Sequence, residues 1–241
     1  MRYGILADIH GNLEALNAVI EICKDEGVRK YYCAGDLVGY GASPNECLNT
    51  IRQLNFVAVA GNHDWAVCGK LNPNNFSSPA FLAVQWTRNQ LSIDDLNYLS
   101  SLELTYDHDE FQMVHGSLNK SENFIYIKNH TDALDSFYLM KKSLCIVAHT
   151  HIPQILIKKK DLIEYGTQFS FQLLNELKYI VNIGSVGQPR DGNPKASFCI
   201  MDSELRHVEI RRVEYDVKTA QSKILKAGLP EILAQRLSIG H

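Results

Sequence analysis

Apolar runs in this 241-residue chain repeatedly end in side chains that could do chemistry. The clearest case is the run 56–60, which stops at Gly61 and then presents Asn62, His63 and Asp64. An apolar, β-branched run that stops at a glycine predicts a buried strand followed by an abrupt turn. Ligands of α/β sheets bind beyond the carboxyl ends of the strands. An amide, an imidazole and a carboxylate in a row at such a place indicate a functional site rather than core packing.

Similar endings follow four other apolar runs, at 5–7, 32–35, 113–114 and 145–148. Together these endings give seven candidate metal ligands, namely Asp8, His10, Asp36, Asn62, His115, His149 and His151. Oxygen and nitrogen donors without a thiolate suit Mn²⁺, Fe²⁺, Zn²⁺ or Ni²⁺ better than Ca²⁺ or a structural zinc site of the cysteine type. Seven ligands are too many for one ion, but they suit two divalent ions that share a carboxylate.

Two such ions, about 3.5–4 Å apart, can hold a bridging hydroxide and polarise a phosphoryl oxygen. Such a pair of ions is suited to chemistry on phosphate groups. His63, which is next to the candidate ligand Asn62, would be left free for acid–base or electrostatic work.

Two further residues are candidates for binding the substrate. The stretch 184–192 follows another apolar strand, and its glycines allow close approach of the backbone to an anion. Arg190 lies in this stretch, and a guanidinium group matches the geometry of a phosphate. Asn12, two residues after His10, could also reach the substrate.

The elements that must position these residues begin with an alternation of strands and helices. Strands are predicted at 2–8, 30–34 and 56–60, with helices at 12–27 and 43–54. This β-α-β-α-β order implies a parallel sheet with helices packed on it. We then expect a surface loop at 68–78, helices at 79–90, 92–101 and 132–140, and strands at 102–106, 110–115 and 144–148.

The last third of the chain has a different pattern. Short strands are predicted at 154–158, 169–174, 178–183, 196–202 and 207–215, which favours a second, largely antiparallel sheet. The tail 217–237 is predicted to be helical, with a break at 228–230. Because no change of composition marks a linker, we predict one domain, residues 1–241, with two packed sheets and outer helices.

The composition excludes several classes of protein. Hydrophobic residues make up 45% of the chain and charged residues 21%, as in ordinary globular proteins. The net charge of -3 argues against a broad surface for nucleic acid or anionic membranes. No apolar run approaches the roughly 20 residues of a membrane helix. The six cysteines include no C-x-x-C pair, and the first strand begins at Met1. We therefore expect free thiols, no signal peptide and a cytoplasmic location.

The blocks that carry the candidate ligands resemble those of the calcineurin-like metallophosphoesterases. They are Asp8-x-His10, Gly35-Asp36, Gly61-Asn62-His63-Asp64, His115 and His149-Thr150-His151, in the family's order and with similar separations over residues 1–200. Any one block alone would be weak evidence, because a lone Asp-x-His is more often a turn and a lone histidine is usually a surface or core residue. The resemblance implies an α/β fold, a four-layer αββα sandwich of two mixed β-sheets flanked by helices.

The resemblance also implies a role for each candidate. One ion would be held by Asp8, His10, Asp36 and His151. The second ion would be held by Asp36, Asn62, His115 and His149, so that Asp36 bridges the two. His63 would be the proton donor to the leaving oxygen or a stabiliser of the transition state.

The chain departs from part of this family at two positions. The protein Ser/Thr phosphatases of the superfamily carry Asp and Arg where this chain has Gly39 and Tyr40. Loss of that orienting carboxylate and of that phosphate-gripping guanidinium argues against a dedicated protein phosphatase. The chain is instead similar to the small bacterial and archaeal phosphodiesterase-type branch, in which Arg190 could supply the missing phosphate contact. Ala148 replaces a usual glycine, a small change that we expect to be tolerated.

The leading hypothesis is therefore a phosphoesterase that uses two divalent transition-metal ions. Its substrates would be small phosphodiesters or phosphomonoesters, such as nucleotides or dinucleoside polyphosphates. The alternative is a non-catalytic scaffold or interaction protein on the same fold, as in the retromer, but the presence of all seven ligands and His63 argues against it. A DNA repair nuclease is disfavoured, because such enzymes usually add a capping domain and a basic surface. The sequence leaves open the metal, the preference between monoesters and diesters, and assembly as a homo-oligomer.

Overall fold

The protein, described here over residues 1–241 by a computed structural model, is built on two six-stranded sheets. The strands are β1 Arg2–Leu6, β2 Lys30–Cys33, β3 Val57–Ala58, β4 Thr105–Asp107, β5 Gln112–Val114, β6 Leu144–Val147, β7 Gln154–Lys159, β8 Leu162–Tyr165, β9 Ser170–Gln172, β10 Lys178–Asn182, β11 Ala196–Asp202 and β12 His207–Val213. The helices are α1 Leu13–Asp25, α2 Pro44–Gln53, α3 Asn62–Cys68, α4 Ser78–Gln90, α5 Ile93–Ser101, α6 Leu134–Leu139, α7 Val217–Lys226 and α8 Glu231–Ile239. Two 3-10 turns cover Pro73–Asn75 and Ser121–Asn123.

The first sheet has the strand order β3-β2-β1-β11-β12-β9. Strands β1, β2 and β3 pair in parallel, as the alternation of strands and helices predicts. Strand β11 then pairs antiparallel with the free edge of β1, which places β1 in the middle of the sheet. The candidate ligands that follow β1 and β2 are therefore anchored to a central part of the sheet.

The second sheet has the order β4-β5-β6-β10-β7-β8, in which β5, β6 and β10 run parallel to one another and β4 and β7 pair antiparallel with β5 and β10. The prediction that the late strands form a separate, largely antiparallel sheet is wrong. Strands β7, β8 and β10 complete the second sheet, whereas β9, β11 and β12 complete the first. The reason is physical: strand periodicity identifies a strand but says nothing about which open edge it will pair with.

Each sheet has one face against the other sheet and one face against helices, which gives four layers. On β1, Ile5 packs in the apolar cluster between the sheets, while Leu6 packs with the outer helices of the first sheet. On β6, Ile146 faces the other sheet and Cys145 faces the outer cluster that includes Phe137 of α6. Because successive side chains of a strand point to opposite faces, strands covered on both sides are apolar throughout. The predicted αββα sandwich of two mixed sheets is confirmed.

The segment 56–64 is folded differently from the prediction. Only Val57 and Ala58 form strand, because β3 is an edge strand that pairs with β2 alone. The chain then enters helix α3 at Asn62, where a turn was predicted. The Asp64 carboxylate accepts the Gly61 backbone N–H at 2.9 Å, which satisfies a donor at the start of the helix. Strand β8 was also not predicted.

The C-terminal helices extend the helical layer on the first sheet, where α7 packs against α1. Helices α7 and α8 pack against α4 and against Tyr40 of the loop after β2, in a cluster that includes Ala83, Ile224 and Leu233. The predicted break at 228–230 separates them as expected. None of the helices combines the length and the apolar character that crossing a membrane requires.

Candidate metal centre

The carboxyl ends of strands from both sheets meet at one buried point. Asp8 and Asp36 follow β1 and β2 of the first sheet, while His115 and His149 follow β5 and β6 of the second. Two groups of residues can be defined in which all ligand atoms lie within 4.8 Å of one another. The first group is Asp8, His10, Asp36 and His151, and the second is Asp36, His115 and His149. Asn62 joins the second group, because its Oδ1 lies 3.2 Å from Nε2 of His115. All seven predicted ligands are thus brought together, between two sheets rather than at the edge of one.

The separations match those of atoms that share an ion. Nε2 of His10 lies 3.1 Å from Nε2 of His151, and Nε2 of His115 lies 3.1 Å from Nδ1 of His149. Asp36 Oδ2 faces both pairs, at 3.5 Å from His10 Nε2 and 3.3 Å from His115 Nε2. Ligands about 2.1 Å from one ion, in tetrahedral or octahedral geometry, are separated by roughly 3.0–3.4 Å.

Three imidazoles are held with Nε2 toward the centre. Nδ1 of His10, His115 and His151 donates to the carbonyl oxygens of Val38, Ala34 and Gln188, at 3.1, 2.8 and 2.6 Å. A carbonyl can only accept, so in each neutral ring the proton is on Nδ1 and the lone pair is on Nε2. Such second partners are the usual means of orienting metal-ligating histidines. Two lone pairs that face each other at 3.1 Å, as those of His10 and His151 do, call for a cation between them.

His149 is oriented in another way. Its ring stacks on that of Tyr126, with centroids 3.7 Å apart and an interplanar angle of 16°. Its Nδ1, rather than Nε2, faces His115. The aromatic contact therefore takes the place of the carbonyl partner that the other three rings have.

Protonation in the metal-free site follows from burial and from one ion pair. Burial lowers the pKa of His10, His149 and His151 well below the usual range, which keeps these rings neutral as a metal ligand must be. Burial would also lower the pKa of His115, but the charge of Asp36 and its hydrogen bond raise that pKa to about 9. A divalent cation that binds there would replace the His115 proton.

The carboxylates show the corresponding effects. Burial would raise the pKa of Asp36, but the neighbouring His115 and His63 hold it well below its usual range. Burial raises the pKa of Asp8 to about 8, and its Oδ1 is buried with no hydrogen-bond partner. An unpartnered buried carboxylate oxygen is costly. The donor set and this orphaned oxygen fit a divalent cation.

The backbone at the ligands is strained. Five of the eleven non-glycine residues with positive φ are candidate ligands, namely Asp8, His10, Asp36, His149 and His151. Asp and His tolerate this conformation better than most residues, but each instance still costs about 1–3 kcal/mol. Clusters of such residues are typical of functional sites.

His63 lies beside the ligands, on the wall of an open cavity of about 760 Å³. Its backbone N–H donates to Asp36 Oδ1 at 2.9 Å, which fixes α3 to the loop after β2. Its ring contacts the rings of His10 and Tyr40, with centroid distances of 4.8 and 4.4 Å. Burial lowers the pKa of His63 to about 4, so the free site holds a neutral imidazole. Its Nδ1 is buried without a hydrogen-bond partner.

Arg190 lines the same cavity, whereas Asn12 does not. The Arg190 Nη2 donates to the Tyr40 hydroxyl at 3.2 Å and to Gln188 Oε1 at 3.0 Å, which leaves the rest of the guanidinium free. Asn12 caps α1 by accepting the Ala15 N–H, and its amide nitrogen donates to the Gly187 carbonyl at 2.9 Å. These contacts engage both ends of the Asn12 amide and link α1 to the 184–192 loop, while the contact of Asn12 with the substrate stays a prediction.

Comparison with known proteins agrees with this geometry. A family sequence profile described as "Calcineurin-like phosphoesterase superfamily domain" matches residues 1–206. The chain belongs to this superfamily. It is 40% identical to an uncharacterized protein, MJ0912, of Methanocaldococcus jannaschii, over 98% of this chain and 97% of that one.

Two solved structures extend the comparison. The crystal structure of a metallophosphoesterase from Sphaerobacter thermophilus is 37% identical and has a TM-score of 0.85, covering 100% of both chains. The hypothetical protein PH1004 of Pyrococcus horikoshii is 23% identical, with a TM-score of 0.80 over 100% of this chain and 98% of that one, and shows the fold alone. The fold of this phosphoesterase-superfamily chain, including its C-terminal helices, is therefore shared along the whole length.

The presence of Gly39 in the loop after β2 has a steric explanation. Gly39 has φ of +95°, and a Cβ at that position would lie 2.6 Å from Nδ1 of His63. An aspartate cannot fit there without displacing the imidazole. Tyr40 beside it has a buried ring, and its hydroxyl accepts a hydrogen bond from Arg190. The phosphate-gripping role predicted for Arg190 is compatible with this arrangement.

Three positioning residues of the phosphoesterase site were not predicted. Asp64 accepts the backbone N–H groups of Leu37, Val38 and Gly61, at 2.9, 3.2 and 2.9 Å. Asn182 holds the loop that carries His149 and His151, donating to Ala148 O at 2.7 Å and to Thr150 Oγ1 at 2.9 Å. Ser185 donates to the Asp8 carbonyl at 2.9 Å. A signal was present for Asn182, because it is a polar residue that ends an apolar strand just as the ligands do.

We expect Asp64→Asn to weaken metal binding by about 10–100-fold, the usual effect of removing an outer-shell partner. The amide keeps the shape but puts an N–H group against at least one of the three backbone donors that the carboxylate accepts. Calorimetric titration of Mn²⁺ into the metal-free protein measures the effect, with the exposed Asp25→Asn as the matched control. Equal affinities of the two variants, with both folded by circular dichroism, would show that Asp64 does not position the site.

Proposed function

We propose that this protein is a phosphoesterase that depends on two divalent transition-metal ions, of Mn, Fe, Zn or Ni. The observation that carries the proposal is the pair of buried ligand groups that share Asp36. Membership of the calcineurin-like phosphoesterase superfamily supports the same reaction class. A single group of three or four ligands would have supported only one ion.

The ligand assignment follows the two groups. Asp8, His10, Asp36 and His151 would hold one ion, and Asp36, Asn62, His115 and His149 the other. Two ions bound there would supply an activated water for in-line attack on phosphorus and positive charge to polarise the phosphoryl oxygens.

The remaining chemistry belongs to side chains on the cavity wall. A neutral His63 can donate one N–H to the leaving oxygen or to a phosphoryl oxygen, which favours the stabilising role over that of a resident imidazolium acid. Arg190 has donors free to bind a phosphoryl oxygen, since only Nη2 is engaged with Tyr40 and Gln188. Small phosphate esters suit the cavity of about 760 Å³.

The proposal is tested by metal reconstitution. Stripped protein is loaded with each metal in turn, the bound equivalents are counted by mass spectrometry, and hydrolysis of p-nitrophenyl phosphate and bis-p-nitrophenyl phosphate is measured. We expect two equivalents and metal-dependent turnover of at least one ester. A folded protein that binds no transition metal and hydrolyses neither ester would contradict the proposal and favour the non-catalytic scaffold.

Replacing the shared carboxylate should disable both metal groups at once. We expect Asp36→Asn to lose both ions and nearly all turnover, because one oxygen of the amide cannot replace a bridging charge. The exposed Asp161→Asn, in the hairpin between β7 and β8, is the matched control and should bind two ions. Retention of two equivalents by Asp36→Asn would exclude a bridging role.

Replacing His63 should separate chemistry from metal binding. We expect His63→Ala to keep its metal content and to lower kcat by about 100- to 10,000-fold, the range typical of a lost acid–base or hydrogen-bonding group. The exposed His130→Ala controls for the loss of an imidazole. Wild-type turnover in a His63→Ala enzyme that holds two ions would remove His63 from the reaction.

Replacing Arg190 should weaken the contact with the phosphoryl group. We expect Arg190→Ala to raise KM or to lower kcat/KM by about tenfold or more, the effect of losing a charge-assisted hydrogen bond. Arg190→Lys should recover only part of the loss, because an ammonium cannot bind two oxygens as a guanidinium does. Unchanged steady-state constants for Arg190→Ala, with the exposed Arg29→Ala alongside, would place Arg190 outside the substrate site.

A further inference from the structure

A second arginine, Arg236 of α8, lines the cavity that contains His63 and Arg190. It lies outside residues 1–206, the part of the chain that the family profile matches. Its Nε is buried and has no hydrogen-bond partner, and the same is true of the Arg190 Nε. Two guanidinium groups, each with an unpartnered Nε, thus belong to the lining of one cavity.

The position of Arg236 is fixed to the loop that carries Arg190. Gly240, at the end of α8, accepts the backbone N–H of Gly192 through its carbonyl at 2.9 Å, and its own N–H donates to the Arg236 carbonyl at 2.9 Å. Gly240 has φ of +65°, and a Cβ there would lie 2.7 Å from the backbone of Asn193. The last turn of α8 is therefore docked tightly on the turn that follows Arg190.

No carboxylate neutralises either arginine. The ion pairs that arginines form in this protein involve Arg2, Arg52, Arg211 and Arg212. The cavity wall also carries Asp36, which belongs to the metal centre, Glu122 and the last residue of the chain, His241, and no ion pair joins any of them to Arg190 or Arg236. Both guanidinium groups lie close enough to Tyr40 to oppose the rise in its pKa that burial causes. A cavity with two uncompensated guanidinium groups is electrostatically suited to an anion.

We propose that Arg236 binds a second phosphate group of the substrate, so that the protein acts on phosphate esters that carry two or more phosphate groups. The proposal rests on the phosphoesterase function proposed above, in which the metal centre and Arg190 engage the phosphoryl group that reacts. A second phosphate would satisfy the free donors of Arg236 and offset the repulsion between the two guanidinium groups. An ester with one phosphate group would leave Arg236 without a partner.

The test compares inorganic pyrophosphate with inorganic phosphate. Both are used as competitive inhibitors of p-nitrophenyl phosphate hydrolysis by the metal-loaded enzyme, at constant free metal and with metal content checked after each titration. Calorimetric titration of the two anions into the same protein gives a readout that does not need turnover. The variants are Arg236→Gln, Arg236→Lys and, as a matched control on α7, the exposed Lys226→Gln.

We expect the wild-type protein to bind pyrophosphate more tightly than phosphate. Arg236→Gln should weaken pyrophosphate by about tenfold or more and phosphate by less than about threefold, as expected for a charge-assisted contact made by the second group alone. Arg236→Lys should recover part of the pyrophosphate affinity, and Lys226→Gln should match the wild type for both anions.

The outcomes separate this inference from the proposed function. Metal-dependent hydrolysis together with an unchanged pyrophosphate-to-phosphate ratio in Arg236→Gln would overturn the inference and leave the phosphoesterase intact. A parallel loss for both anions would place Arg236 at the reacting phosphate and would likewise overturn it. Absence of any hydrolysis would count against the proposed function, while the calorimetric ratio would still decide whether Arg236 binds a second phosphate.

Discussion

The buried carboxylate of Asp36 is the constraint on which the rest of this structure depends. One of its oxygens faces His10 and His115, from the two ligand groups, while the other accepts the backbone N–H of His63. A charge that is 1% exposed is unfavourable unless every lone pair has a partner. Those partners come from the loop after β1, from α3 and from the loop after β5 of the second sheet. Both sheets and helix α3 therefore have to be correctly placed at the same time.

The site is built at the expense of local stability. Five ligands occupy the left-handed region, and several imidazoles are buried neutral with their lone pairs close together. Such a conformation persists only where contacts with the surrounding structure stabilise it. Here the surroundings are the backbone hydrogen bonds to Asp64, Asn182 and Ser185, none of which touches the centre of the site directly. An ion that binds only the folded protein stabilises it by mass action, so the bound metals would offset the strain of the site that holds them.

The sequence was sufficient for the features that are local along the chain. The candidate ligands lie shortly after the ends of five strands, β1, β2, β3, β5 and β6, so the strand pattern and the ligands could be read together, and all seven meet in the structure. The partition of β7 to β12 between the sheets could not be predicted, because it depends on which edges β1 and β6 leave open. Helix α3 differs from the predicted turn although Asp64, three residues after Gly61, is a local signal of a helix start. The link from Asn12 to Gly187 could not be predicted, because the two residues are 175 positions apart in the chain.

The least predictable part is the contribution of the C-terminal helices to the cavity. Their apolar spacing indicates two amphipathic helices, but the place where they pack depends on contacts with α1, α4 and Tyr40, which are distant in the sequence. Those contacts also explain the residue at position 40. Its ring lies against His10 and His63 on one side and belongs to the apolar cluster of α7 and α8 on the other, while its hydroxyl receives Arg190. A guanidinium at position 40 would be buried in that cluster without a carboxylate, at a high desolvation cost. The fold therefore brings its cationic groups to the cavity from the 184–192 loop and from α8, which the same aromatic ring and the Gly192–Gly240 hydrogen bond hold together.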